Sequence, residues 1–204
     1  GVPAVLGMAM HRQVLADARA ALGPGVFEIT SLPPSVPGLR LFDALREAIL
    51  SRGGGIQVGF DVVRVERAGT RIAAVHTEAA SRTLRLAADR FVLATGGIGG
   101  EGIRADVDGR LRERVFGLAV TAPPREAWFS DDPLVAHPIE AAGIRTDDAM
   151  RPLDPAGDVA LDNVHVIGSA LAGMNYLGDR CGDGVALASA YRVAVALAAG
   201  TLAA

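Results

Sequence analysis

Phe91-Val92-Leu93-Ala94-Thr95-Gly96-Gly97 is the stretch on which the fold turns. Four apolar residues run without a polar break, as strands do when a parallel sheet is covered on both faces. The run empties directly into Thr-Gly-Gly. A strand that ends in small residues lets the backbone approach a planar ligand with no Cβ in the way. The same form recurs at Val164-His165-Val166-Ile167, which breaks at Gly168; a glycine-rich loop over 173–184 then leads into an apolar helix from Val185 to about Ala198. Ligands in open α/β sheets bind beyond the carboxyl ends of the strands, where both glycine clusters fall.

The segments between these strands have other periods. His11 to Leu22 reads as a helix closed by Gly23-Pro24-Gly25, and Val26 to Ile29 as a strand. Thr30 to Gly38, with three prolines, is expected to be irregular. A helix follows, with Leu41, Phe42, Leu45, Ala48 and Ile49 on one face and Arg40, Asp43, Arg46 and Glu47 on the other, ended by Gly53-Gly54-Gly55. Ile56, Val58, Phe60 and Val62 then alternate, and the phase slips to Val63 and Val65, the mark of a bulge. With strands over 72–78 and 83–87, this segment makes a three-stranded antiparallel meander. Residues 99–160, proline-rich with strands near 115–120 and 143–146, read as a lobe inserted between the two apolar strands. The expected organisation is 1–98, a sheet portion with helix and meander; 99–160, an inserted α+β lobe; and 161–204, the last sheet strand and a C-terminal helix.

Composition removes several functional classes. The formal charge is −3, which gives no basic field for a nucleic-acid backbone, and no dense cationic run is evident. All twenty basic residues are arginine, which excludes a P-loop lysine or a Schiff-base lysine here and is in keeping with a GC-rich genome. One cysteine, Cys181, leaves no disulfide framework and no cysteine-rich metal site. The stretch 185–204 is rich in alanine and broken by Ser189, Arg192 and Gly200, so it reads as a packed helix rather than a membrane span. No secretory leader is evident, and a reducing cytoplasm is the default. Gly1 to Gly7 reads as strand and turn without an initiator methionine, as expected of a piece of a longer chain.

Helix-and-meander, strand-TGG and strand-glycine-helix, in that order, fit an FAD/NAD(P)-binding, Rossmann-like flavoprotein fragment. In such a fold Gly182-Asp183-Gly184 aims the positive end of a helix at the flavin pyrimidine edge. Singly, each motif has a plainer explanation: a tight strand-to-loop turn at Thr95-Gly96-Gly97, and an N-cap at Asp183. LPPSVPGLRL (32–41), ATGG (94–97), Arg112 to Leu118, Met150-Arg151-Pro152 and Asn163 to Gly168 together resemble the B subunit of the anaerobic glycerol-3-phosphate dehydrogenases, from about Val2 to Ala198.

That resemblance implies a flavin (FMN or FAD), a sister flavoprotein subunit and an iron–sulfur, membrane-anchoring subunit. It implies oxidation of sn-glycerol 3-phosphate to dihydroxyacetone phosphate with electrons passed to quinone, at the inner face of the cell membrane. The GxGxxG fingerprint of the family's N-terminus is missing, so the match is to its later part. Val63, Thr95, Gly96, Gly97, Gly168, Ser169, Gly182, Asp183, Gly184 and Val185 are the expected cofactor contacts; Ser169 stands where many FAD proteins place an acidic residue. For the substrate, Arg40 and Arg151 are candidate phosphate forks and His137 the candidate base, with solvated helix or loop positions as the alternative for both arginines. His165, between valines, reads as a satisfied core histidine, and Trp128 and Phe129 as small-lobe core, with a cover over the site as the alternative. Rival functions are a non-catalytic electron-transfer or scaffold subunit and a relative of fumarate reductase or ketosteroid dehydrogenase.

Overall fold

The computed structural model describes residues 1–30, 35–79 and 82–200. The chain divides into two units, Gly1–Gly59 and Phe60–Ala204; the expected portions 99–160 and 161–204 both fall in the second.

In the first unit β1 (Val2–Pro3) is followed by α1 (His11–Leu22), β2 (Glu28–Ile29) and α2 (Val36–Leu50). The two short strands pair in parallel. Gly23 ends α1 at φ +100°, and its N–H returns to the Arg19 carbonyl. α2 corrects the expectation that the proline stretch stays irregular to Gly38. Ser35 caps the helix by accepting the Gly38 N–H at 3.2 Å, and Pro37 sits in the first turn, where a missing N–H costs nothing. Leu32, Pro33 and Pro34 of the double-proline loop lie outside the described residues. The apolar positions Leu41, Phe42, Leu45 and Ile49 are exposed.

In the second unit β3 (Asp61–Ala68), β4 (Arg71–Ala79) and β5 (Arg82–Ala87) form the antiparallel meander in that order. The first strand begins at Asp61 rather than Ile56. The register shifts between Val62 and Arg64, so the bulge falls at Val63; a second shift follows between Glu66 and Arg67. β6 (Phe91–Leu93) runs into the Thr-Gly-Gly turn. A small hairpin, β7 (Ile103–Ala105) and β8 (Leu111–Glu113), opens the intervening segment, and β9 (Val164–Val166) pairs in parallel with β6. The arrangement is α/β, mixed and Rossmann-like. Leu93, Val164 and Val166 turn into one core with Ile72, Val75, Leu118, Ile144, Leu161 and Ala170. The other face of β6 is not covered as the unbroken apolar run suggested: Val92 is 46% exposed.

The strands expected near 115–120 and 143–146 are corrected to isolated bridges, Thr121 with Gly143, Ile144 with Leu171 and Thr146 with Pro152. The reason is local. The buried Glu113 carboxylate accepts the N–H groups of Val115 at 2.6 Å, Phe116 at 2.7 Å and Leu118 at 3.4 Å, so these donors are not free to join a ladder. Asn163, just before β9, ties the meander to the parallel pair. Its Oδ1 accepts the Ile72 N–H at 2.9 Å, and its Nδ2 donates to Ile72 O at 2.8 Å and Asp89 O at 3.2 Å.

The glycine-rich loop contains the one-turn helix α3 (Tyr176–Asp179) and passes into α4 (Gly182–Ala198). Among the described residues no helix is long and apolar enough to cross a membrane.

Candidate functional site

The parallel pairing of β6 and β9 sets their carboxyl ends side by side. The turn Thr95-Gly96-Gly97 and the 3-10 turn Gly168–Ala170 meet there, joined by the Gly97 N–H, which donates to Ser169 Oγ at 3.2 Å. A Cβ on Gly97 would lie 2.5 Å from the Ser169 carbonyl oxygen, and one on Gly102 would lie 2.1 Å from the Gly96 carbonyl oxygen. Glycine is required at both for contact reasons. At Gly96 and Gly168 it is required for conformation, since φ is +83° and +66°. The Gly168 N–H donates to Ser189 Oγ at 2.9 Å, and the same hydroxyl donates to the Val185 carbonyl at 2.6 Å. One serine thus seats α4 on the end of β9.

A cavity of about 620 Å³ opens over this junction. One wall is backbone-rich, made of Gly97 to Gly100 and Ser169. Another comes from the segment between the strands: Phe129, His137, Ile139 and Glu140. Met174 and Tyr176 close it from the glycine loop. His137 Nδ1 accepts the Ser130 N–H at 3.0 Å, its ring meets Phe129 edge to face with centroids 5.7 Å apart, and its backbone N–H donates to Glu140 Oε1 at 3.3 Å. A second cavity of about 470 Å³ shares Tyr176 and is lined by Gly182, Asp183, Gly184 and Arg180 among others. Gly182 to Gly184 form the first turn of α4 instead of a loop before it. Asp183 is no N-cap: that position is Cys181, which makes no side-chain cap bond.

Of the residues singled out in the sequence, Gly97, Ser169 and His137 come together on the larger cavity, and Gly182, Asp183 and Gly184 on the smaller. Thr95, Gly96 and Gly168 build the turns beneath. Val185 offers its carbonyl to Ser189, and Val63 stands exposed at the bulge of β3. The arginines are differently placed. In the first unit Arg40 grips Glu28 with both ends of its fork, at 2.5 and 2.9 Å, while its Nε donates to the Gly7 carbonyl at 2.8 Å. That fork holds Glu28 well below the usual carboxylate range, at about 2. In the second unit Arg151 is tied to Asp147 through Nε at 2.8 Å and Nη2 at 2.7 Å. Both guanidinium groups serve structural carboxylates, and among the described residues no arginine lines the larger cavity.

Two further expectations are corrected. Phe129 is 69% exposed and forms cavity wall, the alternative to small-lobe core; Trp128 donates its indole N–H to Pro123 O. His165 is buried but only half satisfied: Nδ1 meets the Ala149 carbonyl at 2.9 Å while Nε2 has no partner among the described residues. Glu140, Tyr176 and Ser189 join the site without having been singled out in the sequence. Ser189 had a signal, the one serine in an apolar helix; Glu140 and Tyr176 had none, because their role depends on the path of the chain. Among the described residues no cluster of His, Cys, Asp or Glu could hold a metal.

Residues 1–185 match the family described as FAD binding domain. The chain belongs to that family. It is 39% identical over 202 residues to a probable B subunit of anaerobic glycerol-3-phosphate dehydrogenase from Halobacterium salinarum, an alignment covering 97% of this chain and 46% of the relative. It is 35% and 36% identical over 194 residues to the B subunits of anaerobic glycerol-3-phosphate dehydrogenase from Yersinia enterocolitica and Pectobacterium carotovorum, in each case 95% of this chain and 45% of the relative. This member of the FAD-binding domain family therefore spans just under half the length of those relatives. No solved structure matches. The residues present fit a flavin: at paired strand ends Gly97, Gly99 and Gly100 give the cavity a wall with few side chains, which leaves backbone open to the close approach of a flat aromatic cofactor.

Proposed function

We propose that this chain holds the flavin in one component of a multi-subunit dehydrogenase that oxidises sn-glycerol 3-phosphate to dihydroxyacetone phosphate and delivers the electrons to quinone. The observation that carries the flavin-holding role is the junction of β6 and β9 under the 620 Å³ cavity. Substrate and complex come from the likeness to the glycerol-3-phosphate dehydrogenase relatives. In such a complex the protein works beside a sister flavoprotein and an iron–sulfur subunit, and through the latter it sits at the inner face of the membrane. When bound, flavin supplies the two-electron chemistry. This chain's residues supply its seat at Gly97 and Ser169, and the positive end of α4 near the second cavity.

Two roles remain for the protein within that complex, and each is favoured by one observation. The forks of Arg40 and Arg151 are committed to Glu28 and Asp147, so neither is a ready phosphate clamp. This favours an electron-relaying component, with the phosphorylated substrate bound by the sister. The placement of His137 on the cavity wall favours oxidation here.

The visible spectrum of the purified full-length protein, with the released flavin identified by chromatography, tests the first claim; colourless protein refutes it. Turnover of the assembled complex carrying His137→Ala tests the second. Relay predicts turnover near that of the wild type, and oxidation in this cavity predicts its loss with flavin retained.

A further inference from the structure

The geometry points to His137 as a fixed hydrogen-bond donor to an acceptor oxygen of whatever occupies the large cavity, in place of the base that its position in the sequence suggested. One amide decides the state of the ring. The Ser130 backbone N–H can only donate, and it donates to His137 Nδ1 at 3.0 Å. Nδ1 therefore carries no proton while that bond stands. A neutral imidazole has one N–H and one bare nitrogen, so the proton is on Nε2. That nitrogen lies on the edge of the ring away from Ser130, and the residue lines the cavity.

The ring is braced to hold this state. Phe129 packs edge to face against it, and the backbone N–H of His137 is tied to Glu140. A group that already has its proton on Nε2 cannot take another there, and taking one on Nδ1 would break the bond to Ser130. What it can do is donate to an oxygen that carries or gains negative charge, and a donor held in advance is effective because nothing must reorganise when the charge appears.

Two molecules offer such an oxygen in a flavin site: the substrate, at its hydroxyl or carbonyl, and the flavin, at a ring carbonyl. The identity of the occupant rests on the function proposed above. The protonation state of the ring does not, so the two fail separately.

The test has a spectroscopic and a functional part. Nitrogen-15 NMR of the chain, with histidine labelled and the His137 signals assigned by their loss in His137→Gln, reads the tautomer directly at neutral pH. A bare Nδ1 and a protonated Nε2 are expected; a protonated Nδ1 overturns the inference whatever the protein does. In the holoenzyme, His137→Ala should lower kcat/KM for sn-glycerol 3-phosphate by about 10²-fold if the oxygen is the substrate's, the lower end of what one preorganised donor contributes. It should shift the flavin midpoint potential if the oxygen is the flavin's. In either case His137→Gln, which keeps an N–H donor but cannot act as a base, should restore most of the loss. A glutamine variant as impaired as the alanine one, or an alanine variant unchanged in both measurements, overturns the donor role.

Discussion

No side-chain carbon fits at residue 97, and Gly97→Ala converts that geometry into a measurement. The new Cβ would lie 2.5 Å from the Ser169 carbonyl oxygen, roughly half an ångström inside the closest approach that carbon and oxygen tolerate. The obstacle is backbone, not the tip of a flexible side chain, so the ends of β6 and β9 must part. Parting by that distance stretches the 3.2 Å bond from the Gly97 N–H to Ser169 Oγ past hydrogen-bonding range. Overpacking of this kind costs about 1–3 kcal/mol, and the lost bond adds about 1 kcal/mol. For a chain of this size the sum lowers Tm by roughly 5–15 °C. Thermal unfolding followed by circular dichroism reads the loss, and the flavin-to-protein ratio of the full-length variant should fall with it. Gly99→Ala is the control: Gly99 lines the same cavity, but a Cβ there meets nothing within 4 Å. If Gly97→Ala melts within about 2 °C of the wild type, well under the shift expected from the overpacking cost, or if Gly99→Ala falls as far, the reasoning from the strand junction is wrong.

Three other perturbations probe the frame around the site. Asn163→Ala deletes three hydrogen bonds and strands the buried Ile72 amide, which should cost about 3–5 kcal/mol in urea unfolding; an unchanged midpoint would refute the bracing role. Arg40→Ala should increase amide hydrogen exchange in the first unit and leave flavin content unchanged, and Arg40→Lys should not rescue it, since an ammonium cannot bond both Glu28 oxygens and the Gly7 carbonyl as the fork does. Glu66 is held at about 2, chiefly by Arg85 and then by His76. Its folded value is depressed, so the stability it contributes is complete above the unfolded value near 4.5 and is lost as pH falls toward about 2. Denaturant midpoints of wild type and Glu66→Gln should differ at pH 6 and draw together over that window; a constant difference would contradict the pairing.

Periodicity found the parts of the molecule that periodicity makes. The run from Phe91 and the run from Val164 pair in parallel, the phase slip at Val63 is a bulge, and His11–Leu22 is a helix from end to end. Irregular segments were illegible for a physical reason: their backbone donors are satisfied by single side chains and not by a repeating ladder. Glu113 collects three amides and abolishes the strand expected after it. The N-terminal side of α2 erred in the other direction, because proline forbids a helix interior but suits its first turn.

The arginines expose a different limit. Arg40 and Arg151 had the right chemistry for a phosphate and the right neighbourhood in the chain, but a fork matches a carboxylate as well as a phosphate. Which it meets is decided by the fold, and here both meet carboxylates of the chain itself. For His137 the sequence offers the residue type alone, while the role proposed above turns on which nitrogen is bare, and a main-chain amide seven residues away decides that. The glycines needed no such partner. Their requirement comes from the close approach of two strand ends separated by more than seventy residues, held by Ser169 on one side and Ser189 on the other. The contacts that stabilise that junction are the ones that shape the cavity wall proposed for the flavin. A substitution that loosens the fold at this point must therefore also weaken cofactor retention, whereas one that only lines the cavity, such as Gly99→Ala, separates the two.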